Sequence, residues 1–420
     1  MSKKAIVIGS GISGLSITRM LAHQYEVKVI ERSPSIGGLI KCERINGNLF
    51  HRVGGHVFNS KNADVIKWFW DHFDKETEFL EAIRNAKILF NDKLIGYPIE
   101  NFLHQLPPDL VKQIVKDLLN ILKEGYKAPE TYADFKAFLL GNFGETLYNL
   151  YFGPYNTKIW NTDISKVPLE WLDGKLPMPK IDDVIISNIV KQEESEMVHS
   201  RFYYPVRDGS QFIINRLAQG VDITTSYNVS SIKYDGNIIS VNNDISADVL
   251  VYCGDVRMLA SIIDTESEDL KNALKEVTDL PSNGTSNVLC ETDSNDISWL
   301  YLPEDKFKAH RIIYTGNFSP TNNEGTNRKT CVVEFSGKHE QADMLEELKR
   351  LPGNLKALAF NYEPNSYILQ QKDTREKIAL VKKLLAQQNI YLLGRFAEWE
   401  YYNMDKCIES AMELRDRLIG

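Results

Sequence analysis

The alternation of apolar and polar positions divides the chain into segments of distinct period. The opening reads "KAIVIG", "SGISG", "LSITRMLAHQY" and "EVKVIE" over residues 4–31, which predicts strand, tight turn, helix and strand, the start of a βαβ unit. Near the end, "NIYLLGRFAEWEYYNMDKCIESAMEL" (389–414) predicts a short strand, a turn at Gly394-Arg395 and a helix. In between, residues 221–255 read as several short strands with turns at Asp235-Gly236 and Asn242-Asn243. Residues 62–76 and 108–150 carry apolar residues at helical spacing, and Thr131 is placed to cap a helix through "TYADFKAFLLGNFG". Residues 255–360 mix both periods, with strands expected at "HRIIYTGNF" and "KTCVVEFSG". One stretch fits neither period: "YFGPYNTKIWNTDISKVPLEWLDGKLPMP" (151–179) sets Tyr151, Phe152, Tyr155, Trp160 and Trp171 among lysines and prolines. Such a segment either shapes a binding surface or is a buried connection.

The first turn carries chemistry. Gly9, Gly11 and Gly14 form GxGxxG between strand and helix, and Glu31 ends the next strand twenty positions after Gly11. Gly9 permits the turn, Gly11 lets the backbone approach a pyrophosphate at the helix N-terminus, and Gly14 lets helix and strand pack closely. Glu31 can accept from a ribose hydroxyl. With strand, helix and acid in their places, this predicts a dinucleotide site.

Composition narrows the partners. At 420 residues, with 43% apolar and 25% charged positions, the chain is long enough for two or three globular domains. No apolar run approaches the roughly 18–20 residues of a membrane span, and the first residues enter a strand without a leader-like pattern, so a cytoplasmic protein with no membrane span is expected. The net charge of −8 disfavours nucleic acid as a partner. Cys42, Cys253, Cys290, Cys331 and Cys407 are odd in number and never in a CxxC pair, which predicts reduced, packed thiols. Scattered histidines give no metal site, and "SGKHEQ" is not a P-loop.

The second glycine pair, Gly37 and Gly38 in "ERSPSIGGLIKC", resembles the flavoproteins that include amine oxidases, protoporphyrinogen oxidases and UDP-galactopyranose mutases. That resemblance implies FAD, bound by Gly9, Gly11, Gly14, Glu31, Arg32, Gly38, Leu39, Val229, Gly394, Arg395 and Met404. Further segments resemble the mutases in particular. They are "RVGGHVFNSK" (52–61), "LIGYPIENFLHQLP" (94–107), "YFGPYNTKIW" (151–160), "WLYLPEDKFKAHRIIYTGNFSP" (299–320) and the closing "GRFAEWEYYNMDKCIESAM". The implied fold is α/β: a discontinuous Rossmann-like FAD-binding domain (1–75, 205–255, 361–420), an inserted helical substrate-binding domain (108–180) and an inserted antiparallel sheet domain (76–107, 181–204, 256–360).

The resemblance further implies a flavin-dependent mutase, active when the FAD is reduced, that interconverts pyranose and furanose forms of a nucleotide sugar, UDP-galactose foremost. In that family N5 of the reduced flavin attacks the anomeric carbon, the nucleoside diphosphate leaves, and the ring opens and recloses through another hydroxyl. Leaving-group charge calls for fixed cations, and Arg311 and Lys175 stand at the family's two diphosphate positions. His56 would face the flavin ring. Tyr97, Glu100, Phe152, Tyr155, Asn156 and Trp160 would line the nucleotide pocket, and Tyr301, Tyr401 and Asn403 the diphosphate and sugar. The expected partners are the nucleotide sugar and an external reductant or NAD(P)H, with a homo-oligomer as an open possibility.

Two departures keep alternatives open. Lys175 replaces an arginine and loses its planar fork. Glu100 replaces a glutamine of the eukaryotic members, and a carboxylate accepts but cannot donate, which admits a guanine nucleotide beside uracil. An FAD-dependent oxidoreductase of amine oxidase or protoporphyrinogen oxidase type, and a flavin-binding protein without catalysis, are the other classes.

Overall fold

The computed structural model describes residues 3–169, 180–191 and 201–420. Lys175 and Trp171 lie outside the described residues. The predicted βαβ opening forms as strand Lys3–Ile8, helix Ile12–Leu21 and strand Tyr25–Ile30. These strands enter a five-stranded parallel sheet in the order Ile390–Leu392, Val249–Tyr252, Lys3–Ile8, Tyr25–Ile30, Asp222–Thr224. Strands from three distant parts of the chain thus close one sheet, as a discontinuous dinucleotide-binding domain requires. Its apolar residues are covered on one face by helices Ile12–Leu21 and Met404–Ile419, which share a core with Val7, Val29 and Val251. The first helix can pack this close to its strand because Gly14 carries no side chain: a Cβ would meet the Gly9 carbonyl oxygen at 1.9 Å.

The inserted sheet has seven strands, ordered Lys356–Ile368, Ser282–Thr292, Lys329–Ser336, Ala309–Ile313, Trp299–Tyr301, Ala86–Phe90, Lys93–Gly96. It is antiparallel apart from one parallel pairing, Trp299–Tyr301 with Ala86–Phe90. The strand Lys356–Ile368 runs through the boundary expected at 360/361. Residues expected to open the second sheet segment form the helix Ile181–Val190 instead, because Ile181 and Val184 share the apolar cluster of Ile114 and Leu118. The helical insertion holds Pro108–Glu124, Phe135–Leu147 and Gly153–Trp160. Its second helix is capped by Asp134, whose carboxylate accepts from the Ala137 N–H at 2.8 Å. Thr131 ends a preceding turn and bonds the Ala128 carbonyl, so the cap expected there moves three residues on. The irregular aromatic stretch is helical over Gly153–Trp160, begun by a wide turn at Tyr148–Phe152 and closed by Asn161 in the left-handed region. All five cysteines are free.

Candidate functional site

A groove runs along the carboxyl ends of the parallel strands, lined by Gly9, Gly11, Gly14, Glu31, Arg32, Gly38, Leu39, His56, Val229, Gly394, Arg395, Asn403 and Met404. Every cofactor position expected from the sequence is among these residues. Asn403, expected on the substrate side, lines this groove because it stands at the N-cap position of Met404–Ile419. Tyr227, Tyr252, Asp255, Met258, Phe396 and Tyr402 complete the wall. No sequence pattern marked them, since they are ordinary strand-end and loop residues until the sheet gathers them.

The groove suits a dinucleotide on three observations. First, helices Ile12–Leu21 and Met404–Ile419 begin at it with no side-chain cap, leaving first-turn N–H groups and the positive dipole end to an anion. Second, Gly11 and Gly38 approach so closely that a Cβ on Gly38 would lie 3.2 Å from the Gly11 Cα, which keeps the cradle clear of side chains. Third, Glu31 braces the turn: one carboxylate oxygen accepts from the Ser10 N–H (3.0 Å) and hydroxyl (2.6 Å), the other from the Ser33 N–H (2.8 Å). Lone pairs remain for a ribose hydroxyl.

His56 enters the groove on the loop Arg52–Val57. Gly54 there has φ +66°, and a Cβ on Gly55 would lie 2.6 Å from Ile313 Cγ2, so the loop needs both glycines. The imidazole Nε2 is buried and has no hydrogen-bond partner among the described residues. Burial, and after it the Arg395 guanidinium, pushes the His56 pKa down to about 4, so the ring is neutral at pH 7. Arg395 is fixed by the Tyr402 carbonyl (3.0 Å) and the Ser366 carbonyl (3.0 Å), and lies 4.6 Å from the centroid of the Tyr401 ring.

A second group of expected residues gathers where the seven-stranded sheet meets the helical insertion. Tyr301 packs on Tyr97 (centroids 4.7 Å apart) and meets Tyr155 edge-on at 5.5 Å. Trp160 meets Tyr401 edge-on at 5.9 Å. Phe152 packs on Phe143 at 4.1 Å, and the Asn156 side chain turns inward to the Phe152 carbonyl at 2.7 Å. Arg311 lies among these rings, donating from Nη2 to the Tyr367 hydroxyl (3.2 Å) and from Nε to Glu334. Its side chain keeps 19% exposure. Of its five N–H groups, three have no partner among the described residues. Sequence reasoning missed Tyr367, stacked 5.8 Å from Tyr401, and Arg84, which donates to the Tyr301 hydroxyl (3.1 Å) and covers the Tyr97 ring at 4.5 Å. Tyr301 in "WLYLPED" was the signal, and a single tyrosine does not say which distant arginine will cover its neighbouring rings.

Glu100 changes the reading of its position. It is 6% exposed, and burial pushes its carboxyl up to about 7, against the opposing effect of its own backbone N–H. Near neutral pH the acid and the carboxylate are comparably populated, and the acid has an O–H to give. Desolvation thus favours the protonated acid, which can donate as well as accept.

Fold and groove together define a dinucleotide-binding protein with a Rossmann-like core, and residues 7–73 match the model of the NAD(P)-binding Rossmann-like domain. The resemblance drawn from the motifs holds along the whole chain. A UDP-galactopyranose mutase of Mycoplasma genitalium is 21% identical over 99% of this chain and 94% of its own length. A dTDP-fucopyranose mutase of Escherichia coli is 29% identical over 42% of this chain, and the match spans 46% of that protein. The crystal structure of a reduced UDP-galactopyranose mutase superimposes with a TM-score of 0.86 at 20% identity, covering 100% of this chain and 96% of that one. Among the described residues no helix is long and apolar enough to cross a membrane, and no His, Cys, Asp and Glu cluster could hold a metal ion.

Proposed function

We propose that this chain is a flavin-dependent mutase, an isomerase that interconverts the pyranose and furanose forms of a nucleotide sugar, with UDP-galactose the substrate best supported. The observation that carries the reading is the placement of Arg311: a cation with open N–H groups stands among tyrosines at the rim of the aromatic cleft, one strand pairing from Tyr301. When bound and reduced, the cofactor supplies the nucleophile for the anomeric carbon. The chain's own residues do the rest. Arg311 meets the charge that grows on the departing diphosphate, and Lys175 is assigned the same task from its sequence position. Tyr301 and Tyr401 add hydroxyl donors, and Tyr155 and Trp160 offer flat faces to a base while excluding water. His56, neutral, can donate or accept at the flavin edge without bringing a second charge.

The test is to load the protein with FAD, reduce it with dithionite, and incubate it with a panel of UDP-, GDP- and dTDP-sugars in both directions. A furanose product detected by chromatography and mass spectrometry is expected, and none from any sugar sinks the reading. Flavin reduction by the substrate itself, with peroxide formed in air, would support an oxidase instead.

A further inference from the structure

A row of polar side chains crosses the seven-stranded sheet on one face: Asn361, Asn287, Glu334, Arg311 and Tyr301 are successive cross-strand partners. Register makes this row, because directly paired residues on neighbouring strands point to the same face. An irregularity between Ala309 and Arg311 places His310 as the extra residue and turns Arg311 onto that face. Glu334 has no exposure at all, and it is used twice. Oε1 accepts from the Gly54 N–H at 2.8 Å, in the loop that carries His56, while Oε2 accepts from Arg311 Nε. The same loop is held two residues earlier, where the Arg52 carbonyl accepts from Asn287 (2.8 Å) and Asn361 (2.7 Å).

Burying a carboxylate costs several kcal/mol unless it is paired and hydrogen-bonded. Here one buried charge is satisfied by a guanidinium on the cleft side and a backbone amide on the groove side. Moving either partner leaves the carboxylate short of a donor, so neither moves freely without the other. His310 Nε2, 3.6 Å from Glu334, belongs to an imidazole kept neutral by burial and does not replace the arginine.

We propose that Glu334 is a positioning residue that holds Arg311 and the glycine–histidine loop in one arrangement, setting the diphosphate end and the flavin end of the site together. The assignment of those two ends rests on the function proposed above. The test uses FAD-loaded protein and Glu334→Gln, which keeps the size and an acceptor for Gly54 but gives up the charge and the second acceptor. Two quantities are measured: the dissociation constant for UDP, and the ratio of reduced to oxidised flavin at a fixed potential. The expected result is a tenfold or greater loss of UDP affinity, together with a threefold or greater shift in the flavin ratio. A merely structural residue would lower stability and leave the flavin ratio of folded, FAD-bound protein alone. A change in only one quantity, or in neither, overturns the proposal. If wild-type holoprotein takes up FAD but binds no UDP, the mutase reading fails instead. The crystal structure of the FAD-bound variant then decides: displacement of both Arg311 and residues 54–56 supports the shared role, and displacement of one or neither refutes it.

Discussion

Replacing Glu100 by glutamine tests the carboxyl of the cleft that burial pushes up. In the folded chain burial raises its pKa from 4.5 to about 7. A raised carboxyl contributes fully below its unfolded pKa, and that contribution is lost as pH rises through the folded one. At about 1.4 kcal/mol per pH unit, the wild type at pH 8 carries a cost of about 3 kcal/mol that it escapes at pH 4; at pH 5 about 1 kcal/mol has developed. Glutamine has no proton to lose, so its stability relative to wild type should rise by about 2–3 kcal/mol between pH 5 and pH 8. The pH dependence separates this from any fixed cost of packing an amide. Urea unfolding of the FAD-bound proteins at both pH values, followed by tryptophan fluorescence, measures it. A difference between variant and wild type that is the same at pH 5 and pH 8 would refute the argument that Glu100 is desolvated and uncompensated.

The same protonation bears on ligand choice. UDP affinity should fall, and GDP affinity hold or rise, as pH passes through about 7, with the glutamine variant flat, read by calorimetric titration. Arg311→Ala and Lys175→Ala are each expected to cut turnover of the true substrate by roughly a hundredfold, as loss of one electrostatic stabiliser does; wild-type turnover in either variant removes that residue from the mechanism. Gly14→Val should abolish FAD retention after gel filtration, because even a Cβ there meets the Gly9 carbonyl at 1.9 Å; a variant that keeps FAD stoichiometrically contradicts the close-packing account.

The sequence by itself determined what is local. GxGxxG needs only four neighbours to enforce its turn, so Gly9, Gly11 and Gly14, the first strand and the first helix were all legible. The same holds for Gly394-Arg395 and for the double glycine before His56, whose positive φ and tight contacts follow from the missing side chains. Strand and helix periods were readable at elements such as Pro108–Glu124, where one face is buried, and were missed at Ile181–Val190. They failed at Gly153–Trp160, where Tyr155 meets Tyr301 and Trp160 meets Tyr367, rings from distant parts of the chain. They failed too at Thr131, where two residues three positions apart could cap and the three-dimensional turn chose Asp134.

What only the tertiary structure decided is everything that depends on partners far apart in the chain. Glu100 reads as a charged residue until burial raises its pKa. Arg84 and Tyr367 read as ordinary strand or loop positions until the sheet sets them against Tyr301 and Arg311. Glu334, in the apolar run "CVVEFSG", gave no sign of its role, because cross-strand register brings it to Arg311 from 23 positions away and to Gly54 from 280. Backbone geometry is set by a residue and its neighbours, whereas the charge state and orientation of a buried side chain are set by whatever the fold packs against it.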